Sequence, residues 1–343
     1  MSSEPQKTTS ATRMIDTRTS PRFAGVCTFC RYPRLEDVLA AEPGAPIDWA
    51  LYGVPYDSGV TYRPGARFGP RAIRDASAYV KRYSIEHGVD VPGVLSLADA
   101  GDAPVRPFHP VETLEGVVAW AAALGDASTR LLAVGGDHSV AYANIEATWR
   151  KFGGGAGGGL ALVHFDSHLD TVESVWGERW SHASPFIRAI ESGLIDPKAM
   201  ISIGIKGPLN SASDLEYARE HGVTIITRGE WDARGAAALA AFVRAAADRP
   251  TYVTFDIDVV DPAFAPGTGT PSIGGFSSSQ VLSILRSLAG LNIVGADVVE
   301  VLPDRDIAQN TALLAGHVIF EILALDAVRR AGRAGRAGGG GGR

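Results

Sequence analysis

The sequence predicts an α/β protein with a three-layer, doubly wound and mainly parallel sheet that carries helices on both faces. Its 343 residues are 45% hydrophobic and 20% charged, which is enough apolar material for one large core. Eight short runs rich in valine, isoleucine and leucine are almost continuously apolar, as expected of strands buried on both faces. Helical stretches lie between many of these runs, and this alternation favours a parallel sheet.

The elements follow one another without an internal repeat or an obvious linker, so we expect a single domain at residues 21–328. We expect residues 1–20 to form a disordered arm and the Gly/Arg-rich residues 329–343 to form a flexible tail. The predicted strands are Trp49–Val54, Leu95–Ala100, Leu131–Val134, Leu160–Phe165, Met200–Ile205, Val223–Thr227, Thr251–Phe255 and Ile293–Val299. The predicted helices are Pro110–Leu124, Val140–Lys151, Ala183–Glu191, Ala236–Ala247, Ser278–Leu288 and Thr311–Arg329.

Charge and composition argue against several classes of protein. The formal net charge of −6 disfavours a nucleic-acid-binding protein, which would usually carry a basic face. No apolar run approaches the roughly 18–20 residues that a membrane-spanning helix needs, and Met1–Ser20 lacks the apolar core of a signal peptide. Cys27 and Cys30 have no second pair to complete a zinc site, so we expect them to pack as ordinary residues in a reducing cytoplasm.

Residue types that bind metals follow three of the predicted strands. Aspartate and histidine residues lie just beyond these strands, and the carboxyl ends of parallel strands meet at one edge of a sheet. Residues two apart at a strand end share a face or continue round a turn toward it, so these side chains can converge. The candidate ligands are His138, Asp166, His168, Asp170, Asp256 and Asp258.

Four carboxylates and two imidazoles are too many ligands for one ion and suit two. Ligation without thiolate favours Mn²⁺, Ni²⁺ or Co²⁺ over structural zinc. A single Asp-x-Asp or Asp-x-His motif would often do no more than cap a turn or a helix. Three such motifs at three strand ends favour the metal interpretation, because six such groups packed together without metal would leave buried charge unpaired.

The three segments resemble the signature motifs of the ureohydrolase family, which comprises arginases, agmatinases and guanidino-acid hydrolases. The loop GVPYDSGVTYRPGARFGPRAIR at Gly53–Arg74 and the segment FDIDVVDPAFAPGTGTPSIGG at Phe255–Gly275 resemble the agmatinase branch in particular. Some agmatinase-like proteins are guanidine hydrolases, so the resemblance leaves that activity open. It extends from Ala24 to Leu325, which is nearly the whole chain.

The resemblance implies an eight-stranded arginase-like sheet and two divalent metal ions, usually Mn²⁺, with Ni²⁺ as an alternative. Asp166 and Asp256 would bridge the two ions. One ion would take His138, Asp166, Asp170 and Asp256, and the other would take Asp166, His168, Asp256 and Asp258.

The resemblance also implies catalytic roles for three residues. His182 falls where the family places a proton-shuttling histidine, and Glu300 falls where a glutamate binds the substrate guanidinium through paired N–H···O bonds. Asp170 would orient the attacking water. The products would be urea and an amine, or urea and ammonia if the substrate is guanidine itself.

The loop before His182 departs from arginases, whose polar residues there grip the ends of arginine. Apolar side chains stand in their place, namely Val172, Val175, Trp176 and Trp180. Arginine is therefore a poor candidate substrate. If both tryptophans line the pocket, they favour a compact substrate such as guanidine, with cation–π attraction. The alternative is that both indoles pack outward.

Four further polar residues have less certain roles. An acidic substrate would need a cationic partner in the pocket, and Lys206 or Arg179 could serve. Asp137 and His164 either fix the geometry of the ligands or are ordinary polar residues with satisfied hydrogen bonds.

The main hypothesis is a metal-dependent amidinohydrolase that releases urea from a small guanidino compound, either agmatine-like or guanidine itself. The alternatives are a guanidinobutyrase or guanidinopropionase, a non-catalytic supporting subunit, and a metal-dependent deacylase on a related fold. The presence of all six ligands together with His182 and Glu300 favours an active ureohydrolase. The resemblance also implies a homotrimer or homohexamer. The sparse cysteines favour a cytoplasmic location, and the acidic charge and short apolar runs favour a protein that binds neither nucleic acid nor membranes.

Overall fold

The computed structural model describes Met14, residues 18–153 and residues 158–338. Its strands are β1 (Trp49–Gly53), β2 (Tyr83–Ser84), β3 (Val89–Asp90), β4 (Leu97–Asp102), β5 (Arg130–Val134), β6 (Leu160–Phe165), β7 (Ile195–Ile205), β8 (Thr224–Thr227), β9 (Pro250–Asp256) and β10 (Asn292–Val299). Its α-helices are α1 (Leu35–Ala41), α2 (Gly69–Ser77), α3 (Val91–Val94), α4 (Pro110–Ala122), α5 (Ala141–Phe152), α6 (Pro185–Glu191), α7 (Glu216–Glu220), α8 (Arg228–Glu230), α9 (Ala236–Ala246), α10 (Ser278–Arg286) and α11 (Asn310–Gly338). Short 3₁₀ turns lie at Phe29–Arg31, Ala66–Phe68, His138–Val140, Ala212–Leu215, Ile257–Val259, Pro303–Arg305 and Ile307–Gln309, and a π-helical turn lies at Trp231–Gly235.

Eight of these strands form one sheet in the order β4–β1–β5–β10–β9–β6–β7–β8, while β2 and β3 form a separate hairpin. Every neighbouring pair in the large sheet is parallel. The order places β5, β10, β9 and β6 in the middle, so their carboxyl ends meet at the centre of one edge. In open α/β sheets this is where ligands bind.

Alternate residues of each strand face different helical layers, because side chains of an extended strand point to opposite sides. In β5, Leu132 and Val134 belong to a core that also holds residues of α2, α10 and α11. Leu131 and Ala133 of the same strand belong to a second core with residues of α4 and α5. The predicted three-layer α/β architecture with a parallel eight-stranded sheet is therefore confirmed.

The predicted strands agree with the structure to within a few residues, but the chain termini differ. The last helix, predicted to end at Arg329, continues to Gly338, so the segment predicted to be a flexible tail is helical as far as that residue. Its alanines and arginines are strong helix formers, and they outweigh the interspersed glycines. Most of the predicted N-terminal arm, at residues 1–13 and 15–17, lies outside the described residues, as do residues 339–343.

One segment contradicts the expectation that no apolar run approaches the length of a membrane-spanning helix. The helical segment Ile307–Gly332 is long and apolar enough to span a membrane by length and composition, but 83% of its apolar window is buried inside the protein. That burial is typical of the core helix of a globular protein, since this helix packs against α2, α10 and β10.

The two cysteines are free and differ in their surroundings. Cys27 is exposed, whereas Cys30 is buried and its backbone N–H donates to Ser77 Oγ at 2.9 Å. Burial raises the pKa of the Cys30 thiol to about 12, which makes it a poor nucleophile.

Candidate metal centre

The candidate ligands lie where β5, β6 and β9 end, at the centre of the carboxyl edge of the sheet. Asp256 is the last residue of β9, and its side chain accepts a hydrogen bond from Asp258 N at 2.8 Å. Asp166 follows β6 and accepts one from His168 N at 2.6 Å. In both places the aspartate side chain accepts the backbone N–H of the residue two positions later and so forms a turn. That turn brings the next candidate ligand toward the same side.

His138 faces carboxylates from two other strand ends. Its Nδ1 lies 3.0 Å from Asp166 Oδ2, 2.9 Å from Asp170 Oδ2 and 3.3 Å from Asp256 Oδ2. Within the described part of the chain this buried nitrogen nevertheless makes no hydrogen bond. One nitrogen and three carboxylate oxygens that converge without hydrogen bonding have the arrangement of ligand atoms around a cation.

His168 lies on the other side of Asp166. Its Nδ1 is 3.3 Å from Asp166 Oδ1 and 3.1 Å from Asp258 Oδ2. Asp166 thus turns one oxygen toward His138 and the other toward His168, as a carboxylate shared by two ions would. The ligand atoms of Asp166, His168 and Asp258 all lie within 4.8 Å of one another. The structure therefore brings all six predicted ligands together.

The crowding of acids at this site shifts their pKa values. Burial, with the charges of Asp258 and Asp166, raises the pKa of Asp256 well above its usual range. Burial and the charge of Asp166 likewise raise the pKa of Asp170. Burial would raise the pKa of Asp166 too, but the neighbouring imidazoles of His138, His164 and His168 outweigh it and hold that pKa well below its usual range. So many buried acids are compatible with full ionisation only if cations lie among them.

A chain of hydrogen bonds behind His138 fixes its ring. Thr254 Oγ1 donates to Asp297 Oδ1 at 2.6 Å, and Tyr252 OH donates to Asp297 Oδ2 at 2.7 Å. Since the Thr254 proton is used, its oxygen accepts from His138 Nε2, 2.9 Å away. The proton on Nε2 leaves the Nδ1 lone pair directed at the carboxylates, which is the form that binds metal.

The sequence reasoning missed these three supporting residues. Tyr252 and Thr254 alternate with Asp256 along β9 and therefore share its face, which is a signal that the sequence does contain. Asp297 lies opposite Thr254 on β10. That pairing depends on the strand order, which the sequence does not reveal.

His164 and Asp137 both contact residues of the cluster or its loops. His164 Nε2 lies 2.9 Å from Asp166 Oδ2, and its Nδ1 lies 3.1 Å from Ser202 Oγ. Asp137 accepts hydrogen bonds from Ser139 N at 2.9 Å and Gly59 N at 2.8 Å. Both arrangements agree with the interpretation in which these residues fix the geometry of the site.

Glu300 and His182 form a buried pair beside the cluster. Glu300 Oε1 accepts the backbone N–H of His138 at 2.9 Å and lies 2.9 Å from His182 Nδ1. Its buried Oε2 has no hydrogen-bond partner among the described residues. His182 Nε2 lies 2.7 Å from Thr61 Oγ1. Burial would lower the pKa of His182, but the hydrogen bond and charge of Glu300 outweigh it and raise that pKa to about 9.

A cavity of about 490 Å³ opens from the cluster to the surface. Its wall includes ligand side chains at the base, apolar side chains of the loop before His182 and a polar outer rim, but neither lysine nor arginine among the described residues. The residues that line it are Thr61, His168, Leu169, Asp170, Thr171, Val172, Val175, Trp176, His182, Ala183, Pro208, Leu209, Asn210, Asp214, Asp256 and Thr270.

The two tryptophans of this loop have different positions. Trp176 lines the cavity at its mouth and is 82% exposed. Trp180 packs edge-on against Tyr142, with ring centroids 4.9 Å apart, and lines a separate surface depression with Glu146 and Arg150. The prediction that Trp180 lines the substrate pocket is therefore wrong, because this indole finds its partner on α5.

The two cationic side chains proposed to bind an acidic substrate contact other groups of the protein. Lys206 Nζ donates to the backbone oxygen of Asp258 at 2.7 Å. Arg179 forms ion pairs with Glu173 at 3.6 Å and Glu191 at 3.4 Å. Neither side chain lines the cavity, so both predictions of a carboxylate-binding cation are contradicted.

Comparison with known proteins agrees with this geometry. The family model described as the arginase family matches residues 47–325. Guanidinopropionase of Pseudomonas aeruginosa is 42% identical over 313 residues, which cover 91% of this chain and 95% of that protein. The mitochondrial agmatinase of Gallus gallus is 38% identical, over 89% of this chain and 86% of that protein.

A solved structure extends the agreement to three dimensions. Proclavaminate amidinohydrolase from Streptomyces clavuligerus superposes with a TM-score of 0.81 at 40% sequence identity, over 90% of this chain and 99% of that chain. This protein belongs to the arginase family. The predictions of a ureohydrolase-family enzyme, of its agmatinase-like branch and of its fold are confirmed.

Proposed function

We propose that this protein hydrolyses the guanidinium C–N bond of a small guanidino compound and releases urea and an amine. The convergence of His138 Nδ1 with three carboxylate oxygens, at 2.9–3.3 Å and without hydrogen bonds, is the observation that carries the proposal. Membership of the arginase family supports it.

Two divalent metal ions are the proposed cofactors, and the donor set fits them. One ion would be held by His138, Asp166, Asp170 and Asp256, and the other by Asp166, His168, Asp256 and Asp258. Such ions lower the pKa of a bound water, so that a hydroxide nucleophile forms near neutral pH. Carboxylate and imidazole ligands without thiolate suit Mn²⁺ or Ni²⁺, and we propose Mn²⁺ first because of the family resemblance.

Glu300 is proposed to bind the substrate guanidinium through Oε2. A buried oxygen without a partner costs roughly 1–3 kcal/mol, and more when it is charged, so a guanidinium N–H would relieve that cost on binding. Oε1 already has two neighbours, His138 N and His182 Nδ1. The pairing would therefore run through one carboxylate oxygen, in contrast to the two-bond fork expected from the sequence.

His182 is proposed to protonate the departing nitrogen, and Asp170 to orient the attacking water. Both side chains line the same cavity as the ligands. A buried histidine hydrogen-bonded to a carboxylate is a common proton donor in catalysis, because its partner stabilises the charged form.

An agmatine-like substrate fits the cavity better than guanidine alone. A volume of about 490 Å³ leaves space beyond the guanidinium group, and Trp180 does not fill it. The wall carries Asp214 without lysine or arginine among the described lining residues, which favours a cationic or neutral far end. A guanidino acid is the second candidate, because the relative that is 42% identical is a guanidinopropionase.

Urea release by purified protein tests the proposal. The metal-free protein would be reconstituted separately with Mn²⁺ and Ni²⁺, and offered agmatine, 4-guanidinobutyrate, 3-guanidinopropionate, arginine and guanidine. We expect urea from agmatine in preference to the acids. Urea from a guanidino acid would overturn the substrate assignment but not the reaction. If two ions bind per chain and no substrate yields urea, the alternative of a non-catalytic supporting subunit replaces this proposal.

Three broader features remain proposals. We propose a single domain at residues 21–328 because the sequence has no internal repeat or obvious linker, a homotrimer or homohexamer because of the family resemblance, and a cytoplasmic location because cysteines are sparse. Light scattering of the purified chain measures the subunit number, and a monomer would contradict the second proposal.

A further inference from the structure

Each ring nitrogen of His182 lies within hydrogen-bonding distance of another protein group. Its Nδ1 lies 2.9 Å from Glu300 Oε1, and that carboxylate is almost fully buried. Its Nε2 is covered by Thr61, whose hydroxyl oxygen lies 2.7 Å away and whose backbone nitrogen lies 3.0 Å away. A proton that leaves either ring nitrogen therefore meets one of these two residues first.

Of the described groups within hydrogen-bonding distance of the ring nitrogens, only the Thr61 hydroxyl can pass a proton onward in one step. A backbone N–H donates but does not accept, and an ionised carboxylate has no proton to give. A hydroxyl accepts through its lone pairs while it donates its own proton. Thr61 also lines the cavity that holds the proposed substrate, so its oxygen has access to both partners.

Hydrogen bonds hold the loop that carries this hydroxyl. The backbone oxygen of Gly59 accepts the N–H of His182 at 3.0 Å, and the N–H of Gly59 donates to Asp137 Oδ2 at 2.8 Å. Asp137 in turn adjoins the ligand His138. The loop that carries Thr61 is thus tied at one point to the histidine and at another to the metal-binding strand end.

We propose that the Thr61 hydroxyl relays the proton from His182 to the departing nitrogen of the substrate. This inference rests on the proposed hydrolysis. As the C–N bond breaks, its electron pair stays on the departing nitrogen, which takes the Thr61 proton while Thr61 Oγ1 takes the proton from His182 Nε2. His182 becomes neutral, and the proton released when water adds to the guanidinium carbon recharges it.

The backbone of Thr61 helps this step in a second way. Its N–H, 3.0 Å from His182 Nε2, can bond only to a nitrogen that carries a lone pair. It therefore stabilises the neutral ring that remains after the proton has left, whereas Glu300 on the opposite side stabilises the charged ring. The Thr61 N–H therefore favours the neutral imidazole and Glu300 favours the charged one. A residue that must release and regain a proton during each turnover needs both forms to be accessible.

The test compares Thr61→Val, which keeps the shape but loses the hydroxyl, with Thr61→Ser, which keeps the hydroxyl. We expect kcat to fall about 10²-fold in Thr61→Val and to stay within about fivefold of the unaltered enzyme in Thr61→Ser. KM should change little in either variant, since the relay acts in the transition state. Thr224→Val, at an exposed position of β8, is the matched control and should leave both constants unchanged.

A double-mutant cycle with His182→Asn separates a relay from mere packing. If Thr61 acts through His182, then Thr61→Val should cost nothing further once His182 is gone. Equal metal content and thermal unfolding must accompany each variant, and Thr61→Ala replaces the valine variant if that fails to fold. Multiplying losses, or a Thr61→Val enzyme within threefold of normal kcat, would overturn the relay alone. Absence of urea from the unaltered enzyme would instead overturn the proposed hydrolysis.

Discussion

Two walls of the same cavity are built in different ways. The inner wall consists of strand ends, where Asp166 and Asp258 are fully buried and every ligand has a backbone or side-chain neighbour within hydrogen-bonding distance. The outer wall includes the loop from Thr171 to Ser181, in which Trp176 is 82% exposed. Arg188 of α6 anchors this loop by donating to the backbone oxygen of Glu173.

The two walls suit different tasks: the inner wall suits the reaction, and the outer wall suits the selection of the substrate. Buried strand ends in the middle of a sheet leave little freedom to change, so they suit the metal chemistry that a family shares. A surface loop tolerates substitution and is where specificity is usually set. Relatives of this chain at 38–42% identity are named for guanidinopropionate, proclavaminate-type and agmatine substrates, although all match along most of its length.

Removal of a ligand from the inner wall should have the largest effect. Asp258→Ala deletes a carboxylate that only the second ion would use, so metal content should fall from two ions per chain toward one. The loss of urea release should exceed the roughly 10–100-fold that is typical of residues behind the ligands. Metal analysis and kcat measure both, with the exposed Asp232→Ala as the control. Two tightly bound ions in Asp258→Ala would contradict the ligand assignment.

The residues behind His138 should have the next largest effect. Thr254→Val breaks the chain from His138 Nε2 to Asp297 and frees the ring to turn or change tautomer. We expect metal affinity to fall about 10–100-fold, as measured by competition with a chelator. Tyr252→Phe, which removes one bond to Asp297 but leaves Thr254 in place, should cost less. An equal loss in both variants would mean that packing, and not the orientation of His138, is responsible.

The sequence predicts the inner wall better than the outer wall, because the inner wall is built from strand ends and the outer wall from a surface loop. One aspartate or histidine motif at a strand end would not have been decisive, but three such motifs predicted a converging set, and the structure does bring the six candidate ligands together. Tyr252 and Thr254 escaped because threonine and tyrosine are ordinary strand residues. Thr61 contacts a histidine 121 positions away, and no local pattern encodes such a contact. The direction of the Trp180 side chain depends on its contact with Tyr142 of α5, and the sequence of the loop does not reveal that contact.

Replacement of each tryptophan by alanine tests the difference between the two indoles of this loop. Trp176→Ala removes an indole at the mouth of the cavity, so KM for alkyl-guanidino substrates should rise several-fold, in keeping with about 0.5–1 kcal/mol for an exposed aromatic contact to a cation. Trp180→Ala removes packing against Tyr142 and should lower the free energy of unfolding by about 1–3 kcal/mol with little change in KM. The opposite pattern, with KM sensitive to Trp180, would restore that residue to the pocket.

The smallest effect concerns the turn that carries Trp176. Val175 and Glu178 exchange two backbone hydrogen bonds of 2.9 Å, and the two residues between them have φ of 54° and 88°. This is a type I′ hairpin turn, in which Asn-Gly is strongly favoured and a bulky first residue is strained. Trp176→Asn should therefore stabilise the chain by about 1 kcal/mol and raise Tm by about 1–2 °C.

A matched Trp176→Val variant separates backbone strain from loss of the indole. Valine also lacks the ring, but its branched side chain tolerates positive φ poorly, so this variant should be less stable than Trp176→Asn. If asparagine instead destabilises the protein, the exposed indole must contact something that the isolated chain lacks, such as substrate or a neighbouring subunit. Contacts of the indole with that partner at the mouth of the cavity would then compensate the backbone strain at Trp176. This is the place where the outer wall would select the substrate.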